Sequence, residues 1–329
     1  MTHAFMRFCS TALILWGAIG LPTNLSAQTK LPIKTWTSEL HRDHPLTGRI
    51  WSTKQNTYLT PLELAEALAL NDFILLGEIH DNPDHHRLQA WLISSIALYD
   101  RRPAIIWEMI SLDQSSALEA YTNPYEAPMA GLGGAIQWST RGWPDWEIYL
   151  PIAETAFRYK LRMFPGDVSR EEMQLVRDKG FQGLETERRK SLGISQKLER
   201  GLMKDLQTAL YESHCRMIPQ KATAKMASMQ RLRDAVMAEQ MITTGNRTGA
   251  VLIAGAGHTR QDRGVPWYLR QRLPDATIAS LTMVEVIGSM TEAKDHVPES
   301  SSGKAAADYV WFTARTKRED PCLAFQKKK

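Results

Sequence analysis

The sequence predicts an α/β protein, with a mostly parallel central sheet, helices on both faces and a helical insertion or cap. Three observations predict it. Apolar runs of strand length occur at 73–80, 103–110, 161–168, 250–254, 277–286 and 309–314. Helical patterns separate most of them, which makes neighbouring strands parallel. Ionisable residues close several of the runs, at the sheet edge where open α/β folds bind ligands.

In chain order, Arg7, an apolar stretch at 8–21 and the polar stretch ending Leu25-Ser26-Ala27 have the layout of a secretory signal peptide over residues 1–27. An uncleaved anchor is the alternative. Cys9 precedes the apolar stretch and is not placed to carry a lipid, so anchoring through a lipid-bearing cysteine has no support. The mature chain is then 28–329, a single α/β domain, exported to the periplasm or an equivalent compartment. Two cysteines remain there, Cys215 and Cys322. In an oxidising compartment they predict a disulfide, with metal or nucleophile roles as the rivals. The composition is ordinarily globular, 43% hydrophobic and 23% charged, and a net charge of +4 gives no reason to expect nucleic acid.

Residues 28–60 read as an irregular lead-in with an edge hairpin near 48–58. Thr60-Pro61 opens a helix, since proline suits the first helical turn. After the strand at 73–80, Asn82-Pro83-Asp84 caps a helix over 84–99, with Leu88, Trp91, Leu92 and Ile96 on one stripe. Glu108 ends the next strand, a helix covers 112–121, and Gly-, Pro- and Trp-rich turns fill 123–146. A helix over 149–160 leads into a third strand closing on Asp167. Residues 169–245 are charged and helical in pattern and read as an insertion. The strand at 250–254 then runs into Gly255-Ala256-Gly257-His258, and 289–307 is polar and reads as flexible. A dinucleotide loop is disfavoured, because Arg260 stands where a third glycine is needed.

Glu78, His80, Glu108, Asp167 and His258 all close or follow strands. Asp81, His85 and His86 lie just beyond the first. If the strands are parallel neighbours, these groups share one rim. Such a set can hold a divalent metal, with His80 and His258 as ligands, or can act as a His–Glu acid–base pair. The competing interpretation is a buried, mutually satisfied ion network.

The segments Leu76-Gly77-Glu78-Ile79-His80-Asp81 with His85-His86, His214-Cys215, Arg233-Asp234-Ala235-Val236-Met237-Ala238, Ala254-Gly255-Ala256-Gly257-His258 with Gly264-Val265-Pro266, and Asp320-Pro321-Cys322 together resemble the ChaN-like haem-binding uptake proteins. That group belongs to a superfamily with erythromycin-esterase-like hydrolases and Tiki metalloproteases. The resemblance spans most of the mature chain. It implies an exported homodimer accessory to haem or iron uptake, serving an outer-membrane receptor system. Ferric haem would be held by a tyrosine with a histidine nearby. Tyr149, among Trp138, Trp143 and Trp146, is the candidate ligand, and His214 the candidate histidine. The rivals are a hydrolase using Glu78, His80, Glu108 and His258, with or without a metal, and a non-catalytic interaction protein whose polar rim is vestigial.

Overall fold

A computed structural model describes residues 32–99, 101–245, 248–320 and 322–323. The leader predicted at 1–27 lies outside them. The strands are β1 (Ile50–Ser52), β2 (Thr57–Leu59), β3 (Phe73–Glu78), β4 (Ala104–Ser111), β5 (Met163–Asp167), β6 (Ala250–Gly255), β7 (Ile278–Glu285) and β8 (Tyr309–Thr313). They form one sheet in the order β2-β1-β8-β7-β3-β6-β4-β5. The six strands from β8 to β5 are parallel, and β1 and β2 add an antiparallel hairpin at one edge. Every residue of β3, β4 and β6 is buried, as expected for strands covered on both faces. Pro165 sits in β5, the edge strand, where a missing backbone donor costs least.

One face is covered by α1 (Pro61–Ala69), α2 (Pro83–Leu98) and α5 (Trp146–Arg158). Short helices α3 (Ser115–Thr122) and α4 (Leu132–Ala135) lie between β4 and α5. The predicted helix starts are built as expected: Thr60 and Glu63 form a capping box on α1, and Asn82 accepts from the Asp84 N–H at the start of α2. The other face is covered by α6 (Arg170–Lys179), α9 (Ala222–Thr244) and α10 (Val265–Arg272). Between α6 and α9 come α7 (Thr186–Ser191) and α8 (Arg200–Ser213). The stretch from 169 to 245 is thus helical, and its longest helix, α9, lies on the sheet, while α8 packs on α9. Residues 289–307 include a 3-10 turn at Ala293–His296 and a bridge between Glu299 and Ala305, and they bury Ala293, His296 and Ala306. Cys215 and Cys322 form a disulfide that joins the end of α8 to the C-terminal segment. Among the described residues no helix is long and apolar enough to cross a membrane.

This topology fixes where a crevice can open. The helices that follow β3 and β4 go to one face, whereas those that follow β5 and β6 go to the other. Because β6 lies between β3 and β4, its two neighbours both send the chain away from it at the carboxyl edge. Loops diverge there, which is the switch-point geometry that favours ligand sites.

Candidate functional site

Glu78 ends β3 fully buried, and its carboxylate is the centre of one half of the site. The Tyr149 hydroxyl and His80 Nδ1–H donate to Glu78 Oε1 at 2.8 and 2.9 Å. His86, from the first turn of α2, places Nδ1 3.2 Å from Oε2 and donates Nε2–H to the His80 carbonyl at 3.0 Å. Gln89 donates its amide hydrogen to the Leu76 carbonyl, which turns its own oxygen to His86 Nδ1 at 3.1 Å. Both nitrogens of His86 therefore face acceptors, the arrangement of an imidazolium. Burial opposes charge on His86, but the Glu78 carboxylate outweighs it and raises the pKa. Burial alone would lift Glu78; the charge of His86 and the bonds from both histidines hold it far below the usual carboxylate range.

Glu108 is the centre of the other half. The register of β4 against β5 shifts between Trp107 and Ser111, and such a bulge re-aims the side chain at this point. Its Oε2 accepts the Gly255 N–H at 2.6 Å, and its Oε1 accepts from Arg233 Nη2 at 2.8 Å. His258 Nε2 is 3.1 Å from the same Oε1, and its Nδ1–H reaches Asp234 at 2.6 Å. Burial disfavours the charged ring, but Glu108 and Asp234 prevail and push His258 up to about 9. With both ring nitrogens protonated, Arg233 Nη1 beside Nε2 is a repulsive neighbour, held there by Asp167, which accepts from Arg233 Nε at 2.8 Å.

His80 joins the halves. Its Nε2 is 3.9 Å from Glu108 Oε2, and its ring lies against Trp143 with centroids 4.9 Å apart. Burial lowers its pKa, while the bond to Glu78 and the charge of Glu108 more than offset this. At 32% side-chain exposure His80 is the most open member, against 0–5% for Glu78, Glu108, Asp234 and His258. A solute can meet it first. The closeness depends on Gly255, where a Cβ would lie 2.8 Å from His80 Nε2.

The structure thus brings Glu78, His80, His86, Glu108, Asp167 and His258 to one rim. Asp81 is turned away, paired through both oxygens at 2.8 Å with Arg318, which also holds Glu285. His85 is structural. It accepts the Ile79 N–H, donates to Thr313, and is pushed down to about 3 by burial and by the charge of His86. Arg233, Asp234 and Gln230 of α9 complete the site, with the Gln230 amide 3.1 Å from His258 Nδ1. The sequence carried a sign of them: an Arg-Asp pair interrupts the apolar stripe Leu232, Val236 and Met237, which is fully buried. Charges in such a stripe need partners.

The metal alternative finds no support here. Among the described residues no three His, Cys, Asp or Glu side chains are arranged to hold an ion. The physical reason is that Arg233 and the histidines already occupy the carboxylate oxygens.

Tyr149 and His214 are not brought together. Tyr149 points into the core on the α2–α5 face, whereas His214 follows α8 on the opposite face, with Nδ1 2.7 Å from the Leu210 carbonyl. Tyr149 is also a poor fit for haem iron. It is 0% exposed and stacks on His86, with ring centroids 3.9 Å apart. Burial, and then the Glu78 carboxylate, push its pKa upward, away from the phenolate form in which a tyrosine ligates ferric iron. Trp138 and Trp146 are buried around it, so they cannot cover a porphyrin there.

A mostly parallel α/β sheet with an ionic cluster at its switch point places the chain among the open α/β folds, whose ligand sites lie at that edge, and comparison narrows the class. Residues 64–269 match the family of haem-binding uptake proteins of the Tiki superfamily, ChaN, and the chain belongs to this family. ChaN of Campylobacter jejuni, which binds haem cofacially, shares the fold, with a TM-score of 0.62 and 18% identity over 80% of this chain and 95% of that one. The type III effector HopBA1 aligns at a TM-score of 0.42 and 11% identity, covering 78% and 94% of the two chains. An erythromycin esterase mutant, EreC in its open conformation, aligns at 0.44 and 12%, covering 79% and 95%. No curated protein matches the sequence.

Proposed function

We propose that this protein binds ferric haem as an exported, dimeric accessory to haem or iron uptake, handing its cargo to or from an outer-membrane receptor system. Family membership over residues 64–269 is the observation that carries this. Bound haem would supply ferric iron for a protein oxygen to hold, and the family resemblance makes that ligand a tyrosine with a histidine nearby. What the chain must provide is a phenol at the surface, cations for the propionates and a face for the ring. The buried Tyr149 provides none of these. Haemin titrated into the exported chain should saturate with a tyrosinate-type ferric spectrum and raise the oligomeric mass to a dimer in sedimentation. An unchanged free-haemin spectrum at saturation removes the proposal.

A second reading is favoured by one feature, the partly exposed His80 seated between two buried carboxylates at the switch point. That arrangement suits a general acid–base, with Glu78 fixing the tautomer through Nδ1 and Nε2 facing substrate. Ester hydrolysis by the purified chain, reduced at least about 100-fold in His80→Ala, is the expected signature. Turnover equal in wild type and variant, or none in either, eliminates it.

A further inference from the structure

A second crevice opens at the carboxyl edge, beside the ionic site. β4 and β5 are neighbours, and Ser111 of β4 stands opposite Asp167 of β5. The chain leaving β4 goes to the α2–α5 face, whereas the chain leaving β5 goes to the α9 face. That divergence is again the switch-point condition that favours ligand sites. The cleft it leaves measures about 640 Å³, the size of a small-molecule site. Its walls are the turn after β4, the segment 137–141 and the first turn of α6, and every side chain that lines it is polar. Such a lining suits a small charged ligand.

Two arginines line this cleft. Arg141 is half-buried and donates Nη1–H to Ser111 Oγ at 3.2 Å. Arg170 opens α6, where its backbone N–H donates to Asp113 Oδ2 at 2.8 Å. Among the described residues neither guanidinium has a carboxylate within ion-pair distance, whereas those of Arg188, Arg233, Arg260 and Arg318 do. The segment that carries Arg141 is held in a defined shape. Left-handed backbone brackets it, at Gln137 with φ 54° and at Gly142 with φ 77°. A residue with a side chain adopts that conformation at a cost, and such outliers gather at functional sites. Gln114 fixes the start of the segment by donating its amide hydrogen to the Ile136 carbonyl. Trp138 closes it by donating Nε1–H to the Pro144 carbonyl at 2.7 Å. Trp143, two residues beyond Arg141, lies against the ring of His80. A ligand held by Arg141 is therefore on the same turn that covers the most open member of the ionic site.

We infer that this cleft is an anion subsite, in which Arg141 and Arg170 take the carboxylate of a small polar ligand. The planar fork of an arginine matches two carboxylate oxygens at once, and hydrogen bonds between charged groups are the strong ones. The lining also holds Asp113 and Glu171, so its two cations are balanced by two anions. Asp113 is engaged by the Arg170 N–H, while Glu171 opposes an incoming anion. A singly charged carboxylate is thus a better match than a phosphate dianion. Under the acid–base reading of His80, and resting on it, the cleft names the substrate class: an ester that carries a free carboxylate away from the bond that is cut.

The test titrates lactate and inorganic phosphate into the full exported chain by calorimetry. Lactate should bind the more tightly. Arg141→Gln should weaken it by about tenfold, Arg141→Lys by less, because the charge survives and the fork does not, and Glu171→Gln should tighten it. No lactate binding, or equal affinity in the wild type and in Arg141→Gln with Arg170→Gln, overturns the subsite, and tighter binding of phosphate overturns the carboxylate. Hydrolysis of the 4-nitrophenyl monoester of succinate then separates subsite from reaction. A His80-dependent turnover whose KM rises about tenfold in Arg141→Gln, with kcat little changed, supports both. Turnover with an unmoved KM overturns the substrate class. Lactate binding that depends on Arg141, with no hydrolysis, leaves the subsite standing and removes the acid–base reading.

Discussion

His258 shows how a single side chain couples the site to stability. Its folded pKa, about 9, lies above the unfolded value of 6.5, so its contribution is fully present below about pH 6.5 and is lost as pH rises through 9. Glu108 acts in the opposite direction. Its folded pKa is well below 4.5, so its contribution is present above that value and is lost as pH falls. Unfolding free energy should therefore be highest between about pH 4.5 and 6.5 and should decline toward pH 9, with His258 accounting for at most about 3 kcal/mol of the loss. Denaturant titrations across this range check it, and in His258→Gln the alkaline decline should be shallower, the remainder belonging to His80 and His86, whose pKa values are also raised on folding. A variant that declines as steeply as the parent would mean that another group is responsible. At this scale the sequence was legible where polarity broke an apolar run, as at Glu78, His80 and Glu108. It was misleading at Tyr149, where flanking tryptophans suggested a surface site. The spacing Trp146, Tyr149, Ile152, Ala153, Ala156 is the inward stripe of α5, and all five are buried. That periodicity was present in the sequence and outweighed the aromatic composition.

At the scale of elements, the end of β6 sets the geometry on which the site depends. Gly255 gives its N–H to Glu108 and leaves room for His80, so a methyl group there meets both. Gly255→Ala should fold with a loss of about 1–3 kcal/mol from overpacking and should move His80 away from Glu108. The NMR-detected titration of His80 should then shift downward, because an anion that favours the charged ring has receded. An unmoved titration in a folded Gly255→Ala would show that the ring adjusts without cost. The strands were the most legible elements, since burial on both faces demands unbroken apolar runs. The contribution of α9 was not. Which residues of a 23-residue helix meet a given strand end is decided by its rotation and axial position, and spacing within the helix is silent on both.

For the whole molecule, the disulfide ties residues 107 apart in sequence. Closing so long a loop restricts the unfolded chain most, and the expected stabilisation is about 2–4 kcal/mol. Cys215→Ser with Cys322→Ser should lower the melting temperature accordingly, and a reductant should do the same to the parent alone. Equal melting curves with and without reductant would show the bridge to be thermodynamically idle. The pairing was legible because only two cysteines follow the predicted leader. The order of the strands was not, since apolar runs do not state their neighbours.

That order has a consequence for how the protein is made. β6 emerges from the ribosome long after β3 and β4, yet it is the strand that sits between them. Until residue 255 has been synthesised, the earlier strands lack their shared partner and Glu108 lacks the backbone donor that holds it. The first three-quarters of the chain therefore cannot complete its sheet, and folding must wait for contacts distant in sequence, which are slow to form. A nascent chain delayed in this way stays threadable, the condition in which a polypeptide can be passed through a narrow secretion pore.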